Sequence, residues 1–162
     1  MSTTKTFDPG KSIRRARRSK VQGQKWSIAI AKTEFVWSTK MDRVDIIRKK
    51  LPYEAIEVVS FRANLPVKRV LQLLDMPQTT YNKKRKAKAL LSSRDSELVL
   101  VLSELLDFGL SVFNSEEEKF YRWLKKPNIS LGNVTPESLF DSLTGIQEVK
   151  NSLTRLEFGN MA

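Results

Sequence analysis

The sequence contains no cysteine and no histidine. The first absence removes disulfides, cysteine–zinc sites and thiol nucleophiles. The second removes the commonest general base and the commonest side-chain metal ligand. An enzyme made from this chain would have to work with carboxylates, lysine or tyrosine, and no paired-carboxylate or glycine-rich phosphate motif is present. Catalysis is therefore not expected, and neither is a cofactor. Long apolar runs are missing as well. A membrane-spanning helix needs roughly 18 apolar residues, and the best stretch, 26–37, is interrupted by Lys32 and Glu34. The N-terminus is basic without an apolar segment behind it, so no secretory signal is expected. The expected compartment is the cytoplasm, with no membrane contact.

Positive charge is in excess, with a net +11 over 162 residues. Its placement matters more than its size. Residues 1–25 hold eight basic side chains against Asp8, a net +7; residues 26–109 carry +5; residues 110–162 carry −1. A polyanionic partner is expected for the first two thirds and a different kind of partner for the last third. The hydrophobic content of 40% is enough for a core in one or two compact domains.

Residues 1–25, with the run Arg14-Arg15-Ala16-Arg17-Arg18, have too little apolar surface to order alone and read as a flexible basic arm. The arm either solubilises the chain or contacts DNA. Residues 26–37 suit a short strand or an extended docking segment. Val44, Ile46 and Ile47 suggest a short helix over 42–50. Pro52 then suits the first turn of a helix that buries Ile56, Val59 and Phe61. Val67, Val70, Leu71, Leu73 and Leu74 form a helical stripe after Pro66, broken at Asp75-Met76-Pro77, and a second short helix follows. Two short helices joined by a tight turn are the helix-turn-helix signature, with Asp75 where glycine is common. Ser92 suits the N-cap of a long helix over 93–113. That helix is apolar around most of its circumference, which suggests a spine between two halves and a contact with a second copy; the alternative is a central core helix in a monomer.

The expected DNA reader is the helix at 78–86. Gln78, Thr79 and Thr80 occupy its first turn, from which recognition helices read base edges. Gln78 and Asn82 can pair bidentately with adenine, whereas Lys83, Lys84, Arg85, Lys86 and Lys88 suit phosphates. Tyr81 is read as packing. A basic run taken alone is more often only a solvated face; its position after an apolar helix and a turn favours DNA.

The last fifty residues read as a helix from a Ser115 cap to a stop at Pro127, a tight loop, a second helix begun by Thr135-Pro136, and a third helix with Ile146, Val149, Leu153 and Leu156 on one stripe, capped by Gly159. Trp123-Leu124, Pro127-Asn128, Leu131-Gly132, Thr135-Pro136, Leu139, Gly145, Arg155, Glu157 and Gly159 fall in one register. This constellation resembles the C-terminal domain of the Xre/MbcA/ParS antitoxin family, with its W-L-x-x-P-N-x-x-L-G-x-x-T-P run and closing R-x-E-x-G. The resemblance covers 112–159, and a weaker one to the family's helix-turn-helix half covers 42–110. Asn133 departs from the family's second glycine, and asparagine tolerates the left-handed backbone required there.

The resemblance implies an all-α chain: a basic arm over 1–25, an Xre-like helix-turn-helix and dimerisation region over 26–110, and a toxin-binding domain over 111–162. It implies two partners, operator DNA and a cognate RES-like toxin that consumes NAD or transfers ADP-ribose. It also places toxin contact at Arg155, Glu157, Phe158 and Gly159. A cleft that binds pyrophosphate presents cations and N–H donors, which makes Glu157 a sensible plug; the bland reading of Arg155 and Glu157 is solvated helix-end charge. Two rivals stand beside this. One is a stand-alone transcription regulator whose C-terminal domain only dimerises. The other is an RNA-binding accessory protein, disfavoured because no aromatic stacking platform accompanies the basic residues.

Overall fold

The computed structural model describes residues 24–159; the basic arm lies almost wholly outside them. The chain opens with a hairpin, β1 (Trp26–Ile30) and β2 (Thr33–Trp37), paired antiparallel from Trp26 opposite Trp37 to Ile30 opposite Thr33. Ala31 makes the turn at φ 54°, so the β-branched and aromatic segment folds back on itself rather than lying as one strand. The rest is helical: α1 (Lys40–Lys49), α2 (Ala55–Ala63), α3 (Val67–Leu73), α4 (Gln78–Lys86), α5 (Ser93–Val112), α6 (Glu117–Leu124) and α7 (Leu143–Gly159). Two 3-10 turns, Ile129–Leu131 and Pro136–Leu139, separate α6 from α7. The helical architecture is as expected, with the hairpin added to it. No helix among the described residues is long and apolar enough to cross a membrane.

Helix α5 is the spine. Its N-cap is Ser92, whose hydroxyl accepts from Asp95 N at 3.0 Å. It packs against β1, α1 and α2 on one side and against α6 and α7 on the other. Leu98, Val99, Leu100, Leu102, Leu105 and Leu106 are all buried within one chain. The apolar circumference that suggested a second copy is therefore largely covered by the chain itself. Only Val101, Phe108, Leu110 and Val112 remain partly exposed. Glu104 of α5 ties the N-terminal elements down: it accepts from Trp37 Nε1 at 2.7 Å and from Arg43 at 2.9 Å.

Four local expectations need correction. Pro52 does not open α2, which starts at Ala55. Instead Pro52 bridges to Leu90, and Leu91 N donates to Leu51 O at 2.7 Å, so this segment joins the start of α2 to the end of α4. Phe61 is not on the buried face of α2 but 87% exposed. At about 100° per residue it lies roughly opposite the stripe of Ile56, Val59 and Ala63. Ser115 does not cap α6, since Asn114 and Ser115 both adopt positive φ and Ser115 N closes the end of α5 on Leu110 O. Glu116 is the N-cap, without a side-chain bond. Gly159 does not follow α7 as a left-handed cap. It is helical, and nothing lies within 4 Å of the Cβ it lacks.

Other turn chemistry follows the residues. Asp75 takes φ 51° between α3 and α4, the glycine-like position of the turn. Asn133 takes φ 62° beside Gly132 at 77°, as the asparagine-for-glycine replacement requires. Gly145 is buried because a Cβ there would meet the Leu139 carbonyl oxygen at 2.1 Å, which lets α7 press against the second 3-10 turn.

Candidate functional site

The first site is α4. It follows α3 after the Leu74–Pro77 turn, and Pro77 stands at its N-cap position. Tyr81, the one buried residue of the helix, is 5% exposed and packs on Tyr53 with ring centroids 6.5 Å apart. That contact fixes the face turned outward. Gln78, Thr79, Asn82, Lys83 and Lys84 are exposed and Thr80 is half-buried. Gln78 Nε2 donates to Asn82 Oδ1 at 3.1 Å, so the two amides suited to adenine stand one turn apart and in contact.

Arg85 is placed differently. Its Nη2 lies 2.8 Å from Oε1 of Glu57 on α2, and the Tyr81 hydroxyl donates to the same oxygen at 3.3 Å. Burial, and then the Glu57 charge, raise the Tyr81 phenol above its ordinary value, so it stays a neutral donor. Glu57 therefore holds α4 at two points, and Arg85 serves this contact in the free protein. Nothing in the sequence flagged Glu57. It lies 24 residues from Tyr81, and only the folded α2–α4 arrangement brings it there.

The second site is the end of α7. Gly145, Ile146, Val149, Ser152 and Leu153 are its buried residues and fasten it to the core, with Leu156 half-buried beyond them. The Ser152 hydroxyl stands 3.1 Å from that of Ser130 in the first 3-10 turn, whose start is held by the Asn128 side chain accepting from Ser130 N at 2.9 Å. The Pro127–Pro136 loop thus braces α7. Beyond the brace, Arg155, Phe158 and Gly159 are exposed, Phe158 by 64%. Spacings of three and four residues bring these three to one face. Glu157 is half-buried and two residues from Arg155, on another side of the helix. The arrangement presents one cation and one aromatic ring together, with the carboxylate apart. Among the described residues no cluster of carboxylates could hold a metal ion.

Comparison with known proteins assigns both regions. Residues 42–102 match the antitoxin Xre-like helix-turn-helix domain, and residues 109–159 match the antitoxin Xre/MbcA/ParS C-terminal toxin-binding domain. The chain is similar to an antitoxin Xre of Photorhabdus laumondii, 25% identical over 70% of this chain and 77% of that protein. It is similar also to an antitoxin Xre of Yersinia enterocolitica, 25% identical over 72% and 78% of the two chains. A third relative, a Prs ADP-ribosylating antitoxin of Sphingobium, is 26% identical over 77% of this chain and 84% of its own. With a helix-turn-helix match carrying α4, a toxin-binding match ending on α7, and curated antitoxin relatives covering most of the chain, this protein belongs to the Xre/MbcA/ParS-type antitoxin family.

Proposed function

We propose that this chain is the antitoxin of a type II toxin–antitoxin pair. It neutralises a RES-like toxin that consumes NAD or transfers ADP-ribose by covering the toxin's active site, and it binds its own operator as an autoregulator. The observation that carries the reading is the presence, in one chain, of an outward basic α4 held to α2 through Glu57 and of a braced, outward-facing end of α7. Similarity to the Prs ADP-ribosylating antitoxin of Sphingobium supports ADP-ribosylating chemistry on the toxin's side.

In this reading residues 1–25 are a basic arm, 26–110 form the DNA-binding and dimerisation region, and 111–162 bind the toxin. Gln78, Thr79, Thr80 and Asn82 face base edges. Lys83 and Lys84 face phosphates, and Arg85 reaches one only by leaving Glu57. A homodimer reads a palindromic operator, as helix-turn-helix proteins commonly do. Arg155, Glu157, Phe158 and Gly159 meet the toxin, and residues 160–162, which continue this end, lie outside the described residues. The chain performs no catalysis and works in the cytoplasm; its lack of histidine and cysteine supports the first point.

Co-expression with the toxin encoded beside it tests the reading. Deleting residues 155–162 should abolish protection in a growth assay while a gel-shift with the same variant still shows operator binding. Full protection by the truncated chain would move the inhibitory surface elsewhere.

A further inference from the structure

We propose that the basic arm seats, within its own chain, in an acidic groove between the helix-turn-helix half and the C-terminal domain. The groove, of about 560 Å³, is lined by Glu57, Ser60, Phe61 and Pro66 from one half and by Glu117 and Tyr121 of α6 from the other. Among the described residues no lysine or arginine lines it. Glu57 shares its charge with Arg85, but Glu117 makes no ion pair among the described residues, and exposed Glu118 stands beside it. Phe61 offers its ring here at 87% exposure. An acidic cleft around a bare aromatic ring, in a chain of net charge +11, suits a segment that is both basic and apolar.

The arm has that character and starts in the right place. Residues 13–21 read Ile-Arg-Arg-Ala-Arg-Arg-Ser-Lys-Val, supplying four arginines for the carboxylates and Ile13 and Val21 for Phe61. Arginine also stacks well on Phe and Tyr rings. The described chain begins beside the groove. Arg62, adjacent to Phe61, donates from Nη2 to Ser27 O at 2.8 Å, and its own carbonyl accepts from the Tyr121 hydroxyl at 3.1 Å. From Ser27 back to Arg18 an extended chain spans about 30 Å, ample to enter a groove opening next to Arg62. Other occupants fit less well. Two copies meeting face to face at this groove would bring their carboxylates together, and nucleic acid is repelled by them. Seated here, the arginines are withheld from phosphate, so groove and nucleic acid compete for the same cations.

The absence of cysteine gives a clean test in the full-length chain, because Ser19→Cys creates a single site for a nitroxide label. The expected result is loss of the amide signals of Ser60, Asn64 and Glu117 by paramagnetic broadening at low salt. Those signals should return near 1 M salt, where screening acts over about 3 Å. They should also return at low salt in Phe61→Ser and Glu117→Gln, two exposed positions whose replacement leaves the core intact. Groove signals unaffected by the label at low salt would overturn the proposal. So would broadening that persists in both variants. Equal broadening when label and isotope are on different molecules would assign the groove to a neighbouring copy instead.

Discussion

Glu57 and Arg85 meet across the gap between α2 and α4, with Arg85 Nη2 2.8 Å from the carboxylate. Both side chains are partly exposed, so such a pair is worth only about 0.2–1 kcal/mol. Its effect is on geometry. Arg85→Ala and Glu57→Gln should each weaken operator binding modestly and leave the salt dependence nearly unchanged, and the double variant should be no worse than the worse single one. A salt slope lowered by about one unit in Arg85→Ala alone would instead make Arg85 a phosphate contact in the complex.

Lys83 and Lys84 are exposed and make no ion pair among the described residues. Replacing both by alanine should weaken binding to all sequences and flatten the salt dependence by roughly one unit per lost phosphate contact. Gln78→Ala should alter sequence preference and leave the slope alone. Salt titrations of a gel-shift on operator and scrambled duplexes separate the two outcomes.

Two glycines of α7 should respond in opposite ways. A Cβ on Gly145 would meet the Leu139 carbonyl oxygen at 2.1 Å, whereas one on Gly159 would meet nothing within 4 Å. Gly145→Ala should therefore destabilise the fold by about 1–3 kcal/mol through overpacking. Gly159→Ala should leave the melting temperature unchanged or slightly raised, since alanine is the better helix former. Loss of toxin protection in a stable Gly159→Ala variant would indicate that the glycine is kept for close approach of the partner. Protection kept in that variant removes Gly159 from the contact.

Asp107 on α5 is half-buried, and burial, with the Glu104 charge adding to it and Arg62 opposing, raises its carboxyl above the ordinary value. The fold therefore disfavours its ionised form. That cost is present above the raised folded value and absent below the ordinary 3.8. Asp107→Asn should raise the melting temperature at neutral pH, and the gain should fade as the medium is acidified. A variant that melts lower than the parent at neutral pH would show that the attraction to Arg62 dominates.

Much of this was legible because local chemistry and tertiary packing agree. Asp75 and Asn133 are turn residues that tolerate positive φ, and both adopt it; Ser92 and the apolar face of α5 likewise act as their sequence context suggests. The failures arise where the deciding partner is distant, or where residue type and local backbone geometry disagree. Phe61 reads as core by residue type, yet helical phase turns it outward. Pro52 reads as a helix starter, yet Leu90, 38 residues further on, pairs with it. Ser115 reads as a cap, yet its backbone is used to finish α5. Arg85 is indistinguishable in sequence from its lysine neighbours, and only Glu57 separates it from them.

The spine helix also governs how this molecule can be lost. The buried side chains of both halves form one continuous cluster, in which Leu98 and Leu105 of α5 sit with Ile56 from one side and Val149 from the other. Neither half has a core to retreat to if α5 opens. A protease that cuts within α5, or a fluctuation that frees it, opens both halves in the same event. Under the proposed function, degradation of this protein would release the toxin and the promoter together, with no interval in which one is held and the other free.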